Sequence, residues 1–213
     1  MFYRGCKGIN SNLYYGNFNN SYFRVMNILP CGADVDVYVN GKLMVQNLSH
    51  KQVSSYWAAM EGKYNVKVYP RGERVNPMLD TVILIQKGYI LNLVIMGYAN
   101  KPKLFQVEEG VIRLQGRDPY VRFVNLSPNS QEMDIVILDK MELFRNIRNE
   151  EATNYKTIPS GVYTFNACAS GTNHLLASIR NVQLNPNNYY TVYVIKALGT
   201  TNRLQMVMVN EPR

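Results

Sequence analysis

The feature that most constrains this chain is that it contains itself twice. The segment YFRVMNILPCGADVDVYV, residues 22–39, aligns without a gap on YVRFVNLSPNSQEMDIVI, residues 120–137. Tyr22, Arg24, Asn27, Pro30 and Asp36 fall on Tyr120, Arg122, Asn125, Pro128 and Asp134, an offset of 98. Further on, Tyr56, Gly62, Tyr64 and Gly72 fall on Tyr155, Gly161, Tyr163 and Gly171, an offset of 99, so one inserted residue reconciles the two stretches. A period this long exceeds the roughly 20–50 residues of a solenoid unit, so each copy is expected to fold as a domain with its own core. The boundaries read as an N-terminal arm over 1–21, a first domain over 22–110 and a second over 111–213, with the linker near Val111 to Pro119.

Within each copy the apolar residues alternate. Val35, Val37 and Val39 fall on one side of DVDVYVN and Asp36 and Tyr38 on the other, the period-2 pattern of a half-buried strand. YNVKVYP, TVILIQ and YILNLVIMG continue the series, and VYTFNACA, SIRNVQL and YYTVYVIKAL answer them in the second copy. No long helical stripe competes. Turn signals at Asn40-Gly41, Pro70-Arg71-Gly72 and Pro159-Ser160-Gly161 separate the strands, which predicts two antiparallel β-sandwiches. Asn40-Gly41 predicts a two-residue type I′ hairpin, because both residues tolerate positive φ; Asp139-Lys140 stands at the equivalent place with poorer turn chemistry.

The R-V-x-N opening, the VDVYVNG strand, the later Y…G-Y/V-Y and the closing YY/TVYVI…G together resemble the bacterial DUF4397 domain, a domain of unknown function that commonly occurs as tandem copies. The resemblance runs from Tyr22 to Gly199. It implies an immunoglobulin-like sandwich for each copy, hence an all-β chain of two tandem immunoglobulin-like antiparallel β-sandwich domains, and it brings no established catalytic residues. Many relatives are exported. Here the opening MFYRGCKGINSNLYYGNFNN lacks the apolar stretch of a secretory signal, so cytoplasmic synthesis is expected, with a spore or cell surface as the destination.

The chemistry-bearing residues are sparse. Three cysteines, Cys6, Cys31 and Cys168, form no CxxC pair, and two histidines, His50 and His174, are too isolated for a His-rich metal site. No G-x-S-x-G, G-x-x-x-x-G-K-[ST] or G-x-G-x-x-G is present, so neither a serine nucleophile elbow nor a common phosphate loop has an anchor. The net charge of +8 is spread evenly: residues 22–110 hold ten basic and seven acidic residues, and residues 111–213 hold eleven and eight. That distribution describes a solvated surface rather than a nucleic-acid track. No apolar run approaches the roughly 20 residues of a membrane span. No catalytic residue, metal ligand or cofactor is therefore assigned, and the chain is read as a non-enzyme.

The recurring acids Asp36 and Asp134 are read as architectural, accepting hydrogen bonds from loop amides or forming charged pairs with Arg24 and Arg122 across adjacent strands. The recurring tyrosines predict core or corner packing with the hydroxyl reaching backbone, and Trp57 inter-strand packing. Cys168 reads as a small buried side chain. The arm is rich in Asn, Gly and aromatics, and Cys6, Tyr14, Tyr15 and Phe18 are its candidate intermolecular contacts. The function expected is a structural or interaction protein that self-assembles through this arm as part of a bacterial cell or spore surface or fibre. The rival is a carbohydrate- or cell-wall-binding module working through exposed aromatics.

Overall fold

The structure, a computed structural model, describes residues 20–98, 100–109, 117–128, 130–137, 141–200 and 203–211. The chain divides into two compact units that fall on either side of residues 110–116. The arm contacts Cys6, Tyr14, Tyr15 and Phe18, most of the expected linker and the Asp139-Lys140 turn lie outside the described residues.

The first unit holds β1 (Ser21–Asn27), β2 (Val35–Val39), β3 (Lys42–Leu48), β4 (Trp57–Ala59), β5 (Gly62–Pro70), β6 (Leu79–Ile85), β7 (Ile90–Tyr98) and β8 (Lys101–Glu108). They form two four-stranded sheets, in the orders β4-β1-β7-β8 and β3-β2-β5-β6. The second unit repeats the plan with β9 (Tyr120–Asn125), β10 (Met133–Ile137), β11 (Met141–Ile147), β12 (Glu151–Ala152), β13 (Lys156–Thr157), β14 (Gly161–Ala169), β15 (Leu175–Leu184), β16 (Tyr189–Lys196) and β17 (Leu204–Glu211). Its sheets run β12-β9-β16-β17, with β13 also on β9, and β11-β10-β14-β15. The described residues contain no helix, so the chain is all-β, as its alternation predicts.

Each core forms where the inward residues of the two sheets meet. Val35, Val37 and Val39 pack with Phe23, Val25, Leu91, Leu93 and Ile95 in the first unit. Met133 and Ile135 pack with Val121, Phe123, Val192 and Val194 in the second. Burying each such side chain stabilises the fold by about 1.5–3 kcal/mol before chain entropy is counted.

The described strands pair antiparallel, as expected, except for one parallel pair in each unit. β1 pairs with β7 in parallel, Tyr22 opposite Ile90 through Asn27 opposite Ile95, and β9 pairs with β16 in the same sense, Tyr120 opposite Tyr189. Alternation assigns the faces of a strand and leaves its neighbour and direction open. The chain comes back to β1 first through the short antiparallel β4 and, after β5 and β6 of the other sheet, through β7 on its other side, so no tight turn joins β1 to β7 and forces the antiparallel sense.

The Asn40-Gly41 turn has φ of 49° and 78°, the positive pair that a type I′ hairpin requires. Gly97 is needed for a different reason. Its φ is 99°, and an added Cβ would stand 2.7 Å from the Lys101 carbonyl oxygen, where β7 turns into β8.

Candidate functional site

The duplicated polar residues form two kinds of internal cluster. The first joins an arginine, a tyrosine and a glutamate. Arg122 on β9 donates to Glu211 at 3.3 Å and to the Thr191 hydroxyl at 2.8 Å. Its guanidinium carbon sits 4.6 Å from the centre of the Tyr155 ring, and the Tyr155 hydroxyl donates to the other Glu211 oxygen. Arg24, Tyr56 and Glu109 repeat the arrangement: Arg24 donates to Glu109, lies 4.7 Å from the Tyr56 ring centre, and the Tyr56 hydroxyl closes onto Glu109. Arg24, Glu109, Arg122 and Glu211 are all buried. Planar guanidinium suits this geometry, stacking on an aromatic face while its N–H groups reach a carboxylate. Burial first, then the negative charge of Glu211, pushes the Tyr155 phenol far above its ordinary range, against the opposing pull of Arg122.

The second cluster is built on the recurring aspartates. Asp36 is buried on β2; one oxygen accepts from the Asn47 amide at 2.8 Å and the other from the Gly72 amide at 3.0 Å. Asp134 does the same with the Asn146 and Gly171 amides, each at 2.8 Å, and takes a third bond from the Ser170 hydroxyl at 2.7 Å. Asn47 and Asn146 have φ of 55° and 53°, and Gly72 and Gly171 have 78° and 70°. Each aspartate therefore ties two left-handed turns of neighbouring strands to its own strand. Burial raises the Asp134 pKa, yet the amides of Asn146 and Gly171, the Ser170 hydroxyl and the charge of Arg145 outweigh it and hold the carboxyl below its usual range.

The expected pairing of Arg24 with Asp36 and of Arg122 with Asp134 is thus replaced. Arginine and aspartate sit in different sheets of the sandwich, and the loop-amide alternative describes the aspartates. The partners missed in the sequence, Glu109 and Glu211, close their copies at an offset of 102, because the second copy inserts residues between β16 and β17.

The tyrosine expectation holds for Tyr64 and Tyr163, whose hydroxyls reach the carbonyls of Met60 and Pro159, four residues upstream, at 2.9 and 2.7 Å. Trp57 is half-buried and packs on Phe23, ring centres 5.6 Å apart. Cys168 is buried, and burial followed by the nearby Asp134 charge pushes its thiol up, the opposite of what a nucleophile needs. His174 is exposed.

Where the copies diverge, the second opens a cleft of about 590 Å³. Leu175 and Leu176 of β15 and Leu198 and Leu204 beside the inserted loop give it aliphatic walls, with Arg180 and Arg203 at its margin. No carboxylate among the described residues pairs with either guanidinium.

Two repeats with a sandwich core, a parallel closing strand and shared polar clusters define a tandem β-sandwich protein. The model of the domain of unknown function DUF4397 matches residues 21–136 and again 119–213, so the chain belongs to that family. No curated protein is similar enough to count as a match. Among solved structures, the chain is similar to the Bacillus anthracis TIE protein at 12% identity with a TM-score of 0.25. That match covers 84% of this chain and 34% of the other, so the chain spans about a third of its length. It is also similar to "a putative cell adhesion protein" from Bacteroides fragilis at 10% identity with a TM-score of 0.23, covering 87% of this chain and 85% of that one. Among the described residues no helix is long and apolar enough to cross a membrane.

Proposed function

We propose that this chain is a non-enzymatic structural and interaction protein, a self-assembling component of a bacterial cell or spore surface, made in the cytoplasm and joined to its neighbours through the N-terminal arm. The observation that carries this reading is how the duplicated polar groups are used. Both Arg–Tyr–Glu clusters and both aspartates bind within the fold, where they fix strands and turns. A catalytic acid, base or nucleophile must instead face a substrate with a suitable pKa. The arm contributes Tyr14, Tyr15 and Phe18 as anchors and Gly16 with flanking Asn residues as permissive backbone, a composition suited to adding a strand to another molecule's sheet edge. Cys6 becomes a covalent lock in an oxidising setting. The carbohydrate-binding alternative draws less support, because Trp57 has Phe23 against its ring.

Deleting residues 1–19 and comparing particle size by light scattering and electron microscopy tests the reading. Higher assemblies of the full chain should be lost from the shortened one. Assemblies of unchanged size, or none in either case, would overturn it.

A further inference from the structure

Sheet edges are where a β-protein must either meet a partner or be protected from one. In this chain most edges are blunted. β3, β11 and β15 each carry a left-handed asparagine, Asn47, Asn146 and Asn181, with a register shift in their pairing. β4, β12 and β13 are two or three residues long. β8 carries Pro102 between Lys101 and Lys103. β17 is straight, but Asn210 is its only exposed residue.

β6 is different. It pairs with β5 without a shift from Leu79 to Ile85, contains neither Pro nor Gly, and its other side carries no strand among the described residues. Its outward positions are Asp80, Val82 and Leu84, with Val82 59% and Leu84 55% exposed. The corresponding stretch of the second copy has Asn181 and Gln183 at these positions, and its pairing with β14 shifts register at Asn181, whose φ is 55°. One copy therefore keeps an open apolar edge that the other has closed.

We propose that β6 is the contact strand of a two-fold dimer, pairing antiparallel with β6 of a second copy and joining the two four-stranded sheets into one of eight. The sequence of the strand selects the register. With the axis at Ile83, Val82 stands opposite the partner's Leu84 and Leu84 opposite the partner's Val82, so both exposed aliphatics are covered twice over. The same register sets Asp80 opposite the partner's Gln86 and next to the partner's Lys87. Asp80 is already paired with Lys67 of its own sheet at 3.0 Å, and this register brings no like charges together along the paired strands. One such edge per chain gives an isologous contact that closes at two subunits. This inference goes beyond the arm-mediated assembly proposed above and does not use the arm.

Cross-linking reads the register directly. In a chain with Cys6 and Cys31 replaced by Ser, Val82→Cys and Leu84→Cys are made as separate proteins. Opposite residues have Cβ atoms about 4.5–5.5 Å apart, within reach of a disulfide after small adjustment, whereas a residue and its own copy lie about 7–8 Å apart on the diagonal. On mild oxidation the mixture should yield at least about ten times more disulfide-linked pair than either protein alone. Equal yields in all three samples, or none, would overturn the register and the dimer with it. Sedimentation supplies the second measurement. The chain lacking residues 1–19 should sediment at twice its own mass, and the full chain, of 24.4 kDa, as that dimer or as larger assemblies built from it. In the chain lacking residues 1–19, Val82→Lys with Leu84→Lys should be monomeric with an unchanged circular dichroism spectrum, while Gln183→Lys leaves the dimer intact. A monomeric wild type, or a dimer that survives the paired lysines, would refute the contact. Loss of the dimer on removing residues 1–19 would show instead that the arm occupies the edge.

Discussion

The guanidinium carbon of Arg122 lies over the ring of Tyr155, 4.6 Å from its centre, and Glu211 binds both. Such a cluster has unequal consequences for partial and complete replacement. Removing one charge leaves the other buried and unpaired, whereas removing all the polar groups also removes their desolvation cost. Glu211→Gln should therefore lower stability by about 3–5 kcal/mol. The triple change Arg122→Met, Tyr155→Phe, Glu211→Leu should cost about 1 kcal/mol or less. Urea unfolding of both variants measures the difference, and a triple variant weaker than the single one would contradict the account.

Asp36 holds two turns at once, so its loss should be felt at both. Asp36→Ala leaves the Asn47 and Gly72 amides without their acceptor, and the expected cost is about 2–3 kcal/mol. Amide exchange should speed up at both residues together. Acceleration at only one of them would show that the aspartate does not couple the turns.

Gly97 and Gly72 both have positive φ, 99° and 78°, yet their surroundings differ. Nothing lies within 4 Å of a Cβ added at Gly72, so Gly72→Ala carries only the backbone strain, about 1–2 kcal/mol. At Gly97 the Lys101 carbonyl stands 2.7 Å away, and a backbone oxygen cannot swing aside. Gly97→Ala should be the more damaging of the two, by about 1 kcal/mol or more in thermal or urea unfolding.

Much of this organisation is legible in the chain. The unbroken alignment of 22–39 with 120–137 announces the duplication, and the alternation of Val35, Val37 and Val39 places those residues in a core. The recurrence of Asp36 and Asp134 marks a structural demand, though not which donors meet it. Their donors are backbone amides of Asn47, Gly72, Asn146 and Gly171, which every sequence possesses and none advertises. Arg24 and Arg122 find their carboxylates 85 and 89 residues away, across a pairing that is parallel on one side, and local pattern carries no information about such distance. The β6 edge needed the structure as well. Val82 and Leu84 become conspicuous only once β6 is known to be the last strand of its sheet.

The buried ionisable groups of the second copy also set how its stability varies with pH. Asp134 is held below its usual carboxylate range in the folded state, against burial, by the amides of Asn146 and Gly171, the Ser170 hydroxyl and Arg145. A depressed pKa means that the unfolded chain binds the proton first as pH falls. The stabilisation is complete above the unfolded value of about 3.9 and is lost as pH drops through the lower folded value. Tyr155 works at the other end. Burial and the Glu211 charge keep its phenol protonated in the fold at pH values where the unfolded chain, with a pKa of about 10, has already ionised. Its contribution is present below about pH 10 and declines as pH rises beyond that. The wild type should thus lose stability below about pH 4 and above about pH 10. Asp134→Asn should flatten the acid limb and Tyr155→Phe the alkaline one, each leaving the other limb unchanged. Urea midpoints of the three proteins across the pH range provide the measurement, and an alkaline limb that persists in Tyr155→Phe would assign that loss to another group.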